Sequence, residues 1–260
     1  MTDSVNPLPE HAIRAILDRY GEAMLLGAHA RDYVATTKAD CTEGRRTTDL
    51  DLAIAAPSIP DFKEMTRPLG DSGGTGMRFD VEKVKVDLIP FSNAPGVNPV
   101  IEVVEGIQMD TTGIDEAFQT AEHMEAPFEQ LRIPTLHAMI VLKTVAWRMR
   151  RAATNKDAED LALLFKCTDL GDYADRCYED DGLLERFDAD SSRIGAYLTG
   201  ADAMRDLPQA TRDCLDEWSN PELAEAMEPR YSSNGFIESL AQRLSDFAAG
   251  ASDYAAGARE

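Results

Sequence analysis

The sequence predicts an α+β protein, with a small mixed sheet and flanking helices in its N-terminal half and a helical C-terminal region. Two patterns carry this. Residues 49–54 and 77–89 alternate polar and apolar side chains with the period of a strand. From Pro134 onward Leu136, Met139, Ile140, Leu142, Val145, Ala146 and Met149 recur at helical spacing. The division expected from this change of period is an α/β domain over 1–128, a helical domain over 129–248 and a flexible tail over 249–260. The tail is Ala- and Gly-rich and has no apolar stripe.

Taken in order, residues 9–23 read as a helix opening on Pro9, and Met24 to Gly27 as a short buried strand. Ala30 to Ala35 can continue as a helix. A polar loop from Thr37 to Thr48 leads into the strand at Asp49. Pro60 to Leu69 reads as a helix ended by Gly70. The Gly-rich turn Ser72-Gly73-Gly74-Thr75-Gly76 lacks the Gly-Lys-Ser/Thr ending of a phosphate loop and leads into no helix, so it is a connecting loop. Met77–Val81 and Val84–Ile89 form a hairpin around Glu82-Lys83, and residues 100–109 add an edge strand. A further helix covers 157–165.

Composition narrows the class. The chain has 260 residues, 43% of them hydrophobic, without an apolar run long enough to span a membrane. Its N-terminus lacks the basic and apolar regions of a signal peptide, which predicts a cytoplasmic protein. Cys41, Cys167, Cys177 and Cys214 have no Cys-x-x-Cys spacing and read as free thiols. A net charge of -21 argues against a surface built to embrace nucleic acid. That charge is unevenly spread: no Asp or Glu occurs from Gln130 to Lys156, a stretch holding Arg132, Lys143, Arg148, Arg150, Arg151 and Lys156. This basic island is a candidate anion site or a solvated helix face.

The chemistry concentrates at Thr47-Thr48-Asp49-Leu50-Asp51-Leu52-Ala53-Ile54. On a strand Asp49 and Asp51 share one face, about 6.5–7 Å apart, while Leu50 and Leu52 enter a core. Two carboxylates on a strand otherwise built for burial need a cation between them. Asp87 stands in a second alternating strand, and if the two strands are neighbours three carboxylates come together. Such acids can hold divalent ions that clamp a triphosphate and activate a hydroxyl. Magnesium suits this donor set, manganese being the alternative. Gly27 permits close approach of a phosphate, and the amides opening the next helix favour an anion. His29 and Trp147 read as structural, the latter as core.

Gly27-Ala28, Asp49-x-Asp51 and a separate Asp87 resemble the polymerase-β-like nucleotidyltransferase superfamily. Leu142-Lys143-Thr144-Val145-Ala146-Trp147-Arg148-Met149-Arg150 and Asn155-Lys156-Asp157-Ala158-Glu159-Asp160-Leu161 look like the Lys-x-x-Ala-x-x-x-Arg and Lys-Asp-x-x-Asp-Leu blocks of the AbiEii/AbiGii-type nucleotidyltransferase toxins. The likeness spans roughly residues 20–165. It implies that Asp49, Asp51 and Asp87 bind metal, with Asp87 assisting deprotonation of the acceptor. It implies that Lys143 contacts the phosphates and that Asp157 orients it. Where relatives carry Gly-Ser or Gly-Gly, this chain has Gly27-Ala28; backbone amides or Arg31 would replace the lost hydroxyl at the nucleotide.

The implied activity transfers a nucleoside monophosphate from an NTP to RNA, a tRNA 3′ end in the toxins, under the control of an antitoxin protein. A second reading keeps the chemistry and takes a small molecule such as an aminoglycoside as acceptor, which the acidity favours. A third is a non-catalytic nucleotide-binding module.

Overall fold

The alternation at residues 49–55 folds as the strand it suggests. In the computed structural model, which describes residues 6–41, 44–92, 94, 98–231 and 237–258, β2 (Asp49–Ala55) buries Leu50 and Leu52 completely and leaves Asp49 and Asp51 on the opposite, partly open face. The chain divides into two compact units. Of the described residues, those in 6–32 and 45–135 form one unit, and those in 33–44 and from Leu136 on form the other.

In the first unit α1 (Glu10–Tyr20) buries Ile13, Ile16 and Leu17, and β1 (Ala23–Leu25) is buried throughout. Gly27 then opens α2 (Gly27–Thr37). Between β2 and its parallel neighbour β4 (Val84–Phe91) lie α3 (Ile59–Thr66), capped by Ser58, and β3 (Arg78–Val81). The β3–β4 hairpin turns through Glu82 and Lys83, both with positive φ, the geometry a two-residue turn needs to match strand twist.

Next come β5 (Val100–Val104), β6 (Ile107–Asp110), α4 (Ile114–Thr120), β7 (Glu122–His123) and β8 (Leu131–Ile133). The main sheet has the order β3-β4-β2-β1-β8-β7. Residues 100–109 do not extend it as an edge strand: β5 and β6 pair with each other as a separate two-stranded sheet. Hairpin closure over Glu105-Gly106 costs less loop entropy than joining a distant edge. The Gly-rich turn is a connecting loop that packs on this hairpin, since a Cβ on Gly76 would lie 2.7 Å from Val104.

The second unit is helical: α5 (Leu136–Arg150), α6 (Lys156–Lys166), α7 (Asp181–Arg186), α8 (Ser191–Asp206), α9 (Pro208–Cys214), α10 (Pro221–Tyr231) and α11 (Ile237–Gly257). Trp147 is buried, as expected of a core residue. The α+β class expected from the two periodicities is thus the class observed.

The expected flexible tail is not one. Residues 249–257 continue α11, and Ala251 is fully buried. Alanine is the best helix former, and the small residues let α8 and α11 touch backbone to backbone. A Cβ on Gly250 would lie 1.9 Å from the Tyr197 carbonyl, and one on Gly200 2.0 Å from that of Phe247. The tail lacks a stripe of large apolar residues because its buried face is built from small ones.

Candidate functional site: an acidic sheet face

The register between β2 and β4 sets Asp51 beside Asp87 and Asp49 beside Lys85. Paired residues in a parallel sheet project to the same side, so the three carboxylates share one face. β1 guides the backbone to the same place. Leu26 N–H donates to the Asp51 carbonyl at 2.9 Å, and Gly27 follows at φ +63°. A Cβ there would sit 1.9 Å from Asp51 Oδ2, so the carboxylate occupies space that only glycine leaves open. The close approach expected at Gly27 was that of a phosphate; the group that lies there is the Asp51 carboxylate.

The electrostatic oddity of clustered acids is answered by Arg78. It faces Asp87 across the β3–β4 pair. Its Nε and Nη2 donate to Asp87 Oδ1 and Oδ2 at 2.8 and 2.6 Å, and Nη2 also donates to Asp49 Oδ2 at 3.0 Å. The hydrogen bond to Asp87 raises the guanidinium pKa still further, so Arg78 is charged at every relevant pH. Thr48 adds a hydroxyl donor to Asp49 Oδ1 at 3.2 Å.

As the side chains stand, the described residues hold no group of three acidic, histidine or cysteine side chains that could hold a metal ion. Arg78 takes Asp49 and Asp87, and Asp51 lies over Gly27. The donor set nevertheless fits a hard divalent cation. It is all oxygen, two of its carboxylates already share one cationic nitrogen within 3.0 Å, and the third is seated in a cradle that a Cβ would fill. Asp49, Asp51 and Asp87 would be its ligands.

One expected nucleotide contact does not stand as expected. Arg31 is only 1% exposed: Nε donates to Asp32 Oδ1 at 2.7 Å and Nη2 to the Arg45 carbonyl at 3.0 Å. A guanidinium so enclosed fastens α2 to the segment entering β2 and is not presented to a nucleotide. Ala28 is buried, so its methyl is a packing group, leaving only backbone to meet a ligand. Asn6, which no sequence signal marked, joins the same cluster, donating to Asp32 and to the Arg45 carbonyl while accepting from Thr47 N–H. His29 is buried and hydrogen-bonded to the Asp49 backbone. Burial pushes its pKa down, consistent with a structural residue.

In the helical unit, Lys143 and Asp157 meet as expected, with a more crowded geometry. Lys143 Nζ is 3.4 Å from Asp157 Oδ1 but 2.6 Å from Asp160 Oδ2. Asp157 receives a two-pronged contact from Arg150, Nε at 3.0 Å and Nη2 at 2.7 Å. Both carboxylates are 1% exposed. Asp160 and Arg150 lay inside the quoted motif without an assigned role; the three-residue step from Asp157 to Asp160 was the available signal.

The basic island is largely spent on internal partners. Within this unit, besides Lys143 and Arg150, Arg148 donates to the Asp213 carbonyl at 3.0 Å and Arg151 lies 3.4 Å from Glu217. In the sheet unit Arg132 caps the Phe118 ring and lies 3.3 Å from Glu22. All four cysteines are free thiols, and no helix among the described residues is long and apolar enough to cross a membrane.

No protein-family model and no curated protein matches the chain. Among solved structures it is similar to two of the antibiotic-resistance factor ANT(2'')-Ia. One, a crystal structure in complex with adenylyl-2''-tobramycin, shares 16% identity over 68% of this chain and 96% of that one, with a TM-score of 0.38. The other, a solution structure, shares 17% identity over 69% and 94%, with a TM-score of 0.34.

Proposed function

We propose that the chain is a metal-dependent nucleotidyltransferase. The observation that carries this reading is the register of Asp51 with Asp87, with Asp49 two residues before, on a sheet face whose next turn presents the Gly27 backbone. The acceptor hydroxyl oxygen bonds to the α-phosphorus of an NTP, the bond to the β-phosphate oxygen breaks, and pyrophosphate leaves with the electron pair. In this reading Asp87 takes the hydroxyl proton, as the sequence resemblance implies. Gly27 leaves room for the Asp51 carboxylate, and the Gly27-Ala28 backbone would meet the phosphate chain, as the sequence resemblance implies. A divalent ion held by the three carboxylates would supply charge neutralisation for the triphosphate. Lys143 keeps its proposed role as a phosphate contact on the strength of the sequence resemblance.

For the acceptor we favour a small cationic molecule, such as an aminoglycoside, over RNA. A chain of net charge -21 attracts polycations and repels a nucleic-acid backbone. The basic residues that would have held RNA are engaged with carboxylates and carbonyls of the protein itself. The toxin reading, with a tRNA acceptor and an antitoxin partner, is the second candidate, and it rests on the motif resemblance. Incubation with magnesium, α-labelled NTPs and either aminoglycosides or total RNA separates the two. Label is expected on the amine-rich acceptor and absent with Asp49→Ala; labelling that survives Asp49→Ala would remove the site assignment.

A further inference from the structure

Arg78 enters the acidic face from edge strand β3 and touches two of the three carboxylates at once. Lys85, which register places opposite Asp49, does not serve there, because its Nζ lies 2.7 Å from Asp80 Oδ2. We propose that Arg78 is a displaceable internal counter-ion: it holds Asp49 and Asp87 before a divalent cation arrives, competes with that cation for the same oxygens, and on release offers its guanidinium to a nucleotide phosphate. The inference rests on the reading of Asp49, Asp51 and Asp87 as metal ligands.

The competition follows from geometry and charge. A carboxylate oxygen taken up by a guanidinium nitrogen at 2.6 Å has its nearest lone-pair direction filled. Magnesium requires the same oxygens at about 2.0–2.1 Å in near-octahedral order. A guanidinium kept beside a dication would also repel it at short range. The fork must therefore open when metal loads. The fork has room to open: the Arg78 side chain is 43% exposed, and its strand lies at the sheet's edge. Once free, a planar guanidinium beside bound metal is suited to a phosphate oxygen pair. Before metal binds, the same contact lets an acidic strand fold without like-charge repulsion between Asp49 and Asp87.

The test is manganese binding without nucleotide, followed by the loss of the free-ion electron paramagnetic resonance signal and by thermal melting. Arg78→Gln is expected to bind Mn2+ at least about tenfold more tightly than the unmodified chain. It should melt lower than the unmodified chain without metal and gain more on saturation. Arg78→Lys, which keeps the charge and loses the fork, should fall between, and Asp51→Asn should lose binding. Binding by the unmodified chain that is no tighter in Arg78→Gln or Arg78→Lys overturns the role of Arg78 alone. If neither the unmodified chain nor Arg78→Gln binds Mn2+, the metal site falls with it. Labelling that survives Asp49→Ala, measured separately, would remove the catalytic reading and leave the Mn2+ comparison intact.

Discussion

The carboxylate of Asp51 occupies the space where a side chain on Gly27 would begin, 1.9 Å from the position of a Cβ. The two residues lie on different elements, and Gly27 also holds a φ of +63°. Gly27→Ala therefore brings two separable penalties. The left-handed backbone costs roughly 1–2 kcal/mol of stability, and the methyl displaces Asp51. A displacement of about 1 Å at a reacting centre can cost on the order of 100-fold in rate. Gly21 supplies the control, since its φ is +81° with nothing within 4 Å of an added Cβ. Gly21→Ala should lose stability through its own positive φ with nucleotidyl transfer unchanged. Pyrophosphate release and melting of both variants check this, and full activity in Gly27→Ala would contradict it.

The Lys143 ammonium lies 2.6 Å from the buried Asp160 carboxylate, and it also reaches Asp157 at 3.4 Å. Removing one partner of a buried ion pair is far costlier than the pair is worth, because a charge stays behind in a poorly solvating site. Lys143→Met should lose about 3 kcal/mol of folding stability. The Arg150 side chain is half exposed, so its loss can be met by water and Arg150→Met should cost less. Urea unfolding at neutral pH orders the two variants, and the reverse order would show that the buried network is organised by Arg150.

Asp206 couples the start of α5 to the end of α8. The hydrogen bond with His137 Nε2 at 2.9 Å, reinforced by the Arg205 fork at 2.7 and 2.9 Å, holds its carboxyl well below the usual carboxylate range. A depressed folded-state pKa means that the unfolded chain takes up its proton first as the pH falls. Stability from this group is then fully present above the ordinary carboxylate pKa of about 3.9 and is lost below it. Asp206→Asn should flatten the acid limb of the stability profile under about pH 4, while stability above that range falls by a constant amount. Urea midpoints between pH 2 and 6 read this, and parallel acid limbs would exclude it.

How much of this was legible beforehand differs by element. The alternation in β2, β3 and β4, and the helical spacing of α5, are local patterns written in neighbouring residues, and they marked those elements correctly. The same local reading marked the acids and Gly27 as chemically loaded. It went astray at Arg31, because an arginine's sequence position does not say whether its charge meets a ligand or a buried aspartate. It went astray at residues 249–257, where a face of Gly and Ala buries itself only because another helix presents glycine in return. Arg78 carried a weak signal: parity within Met77–Val81 places it on the face of Asp87 once the hairpin is drawn.

By itself the sequence determined the α+β class, the two periodicities and the presence of three carboxylates on strands whose other faces are apolar. Only the tertiary structure decided that β2 and β4 are parallel neighbours with Asp51 beside Asp87, that Arg78 closes over Asp49 and Asp87, and that the basic island is spent on internal partners. Side-chain period is a property of the local backbone. Register and charge pairing depend on residues tens of positions away, and their energies exist only once the chain has brought them together.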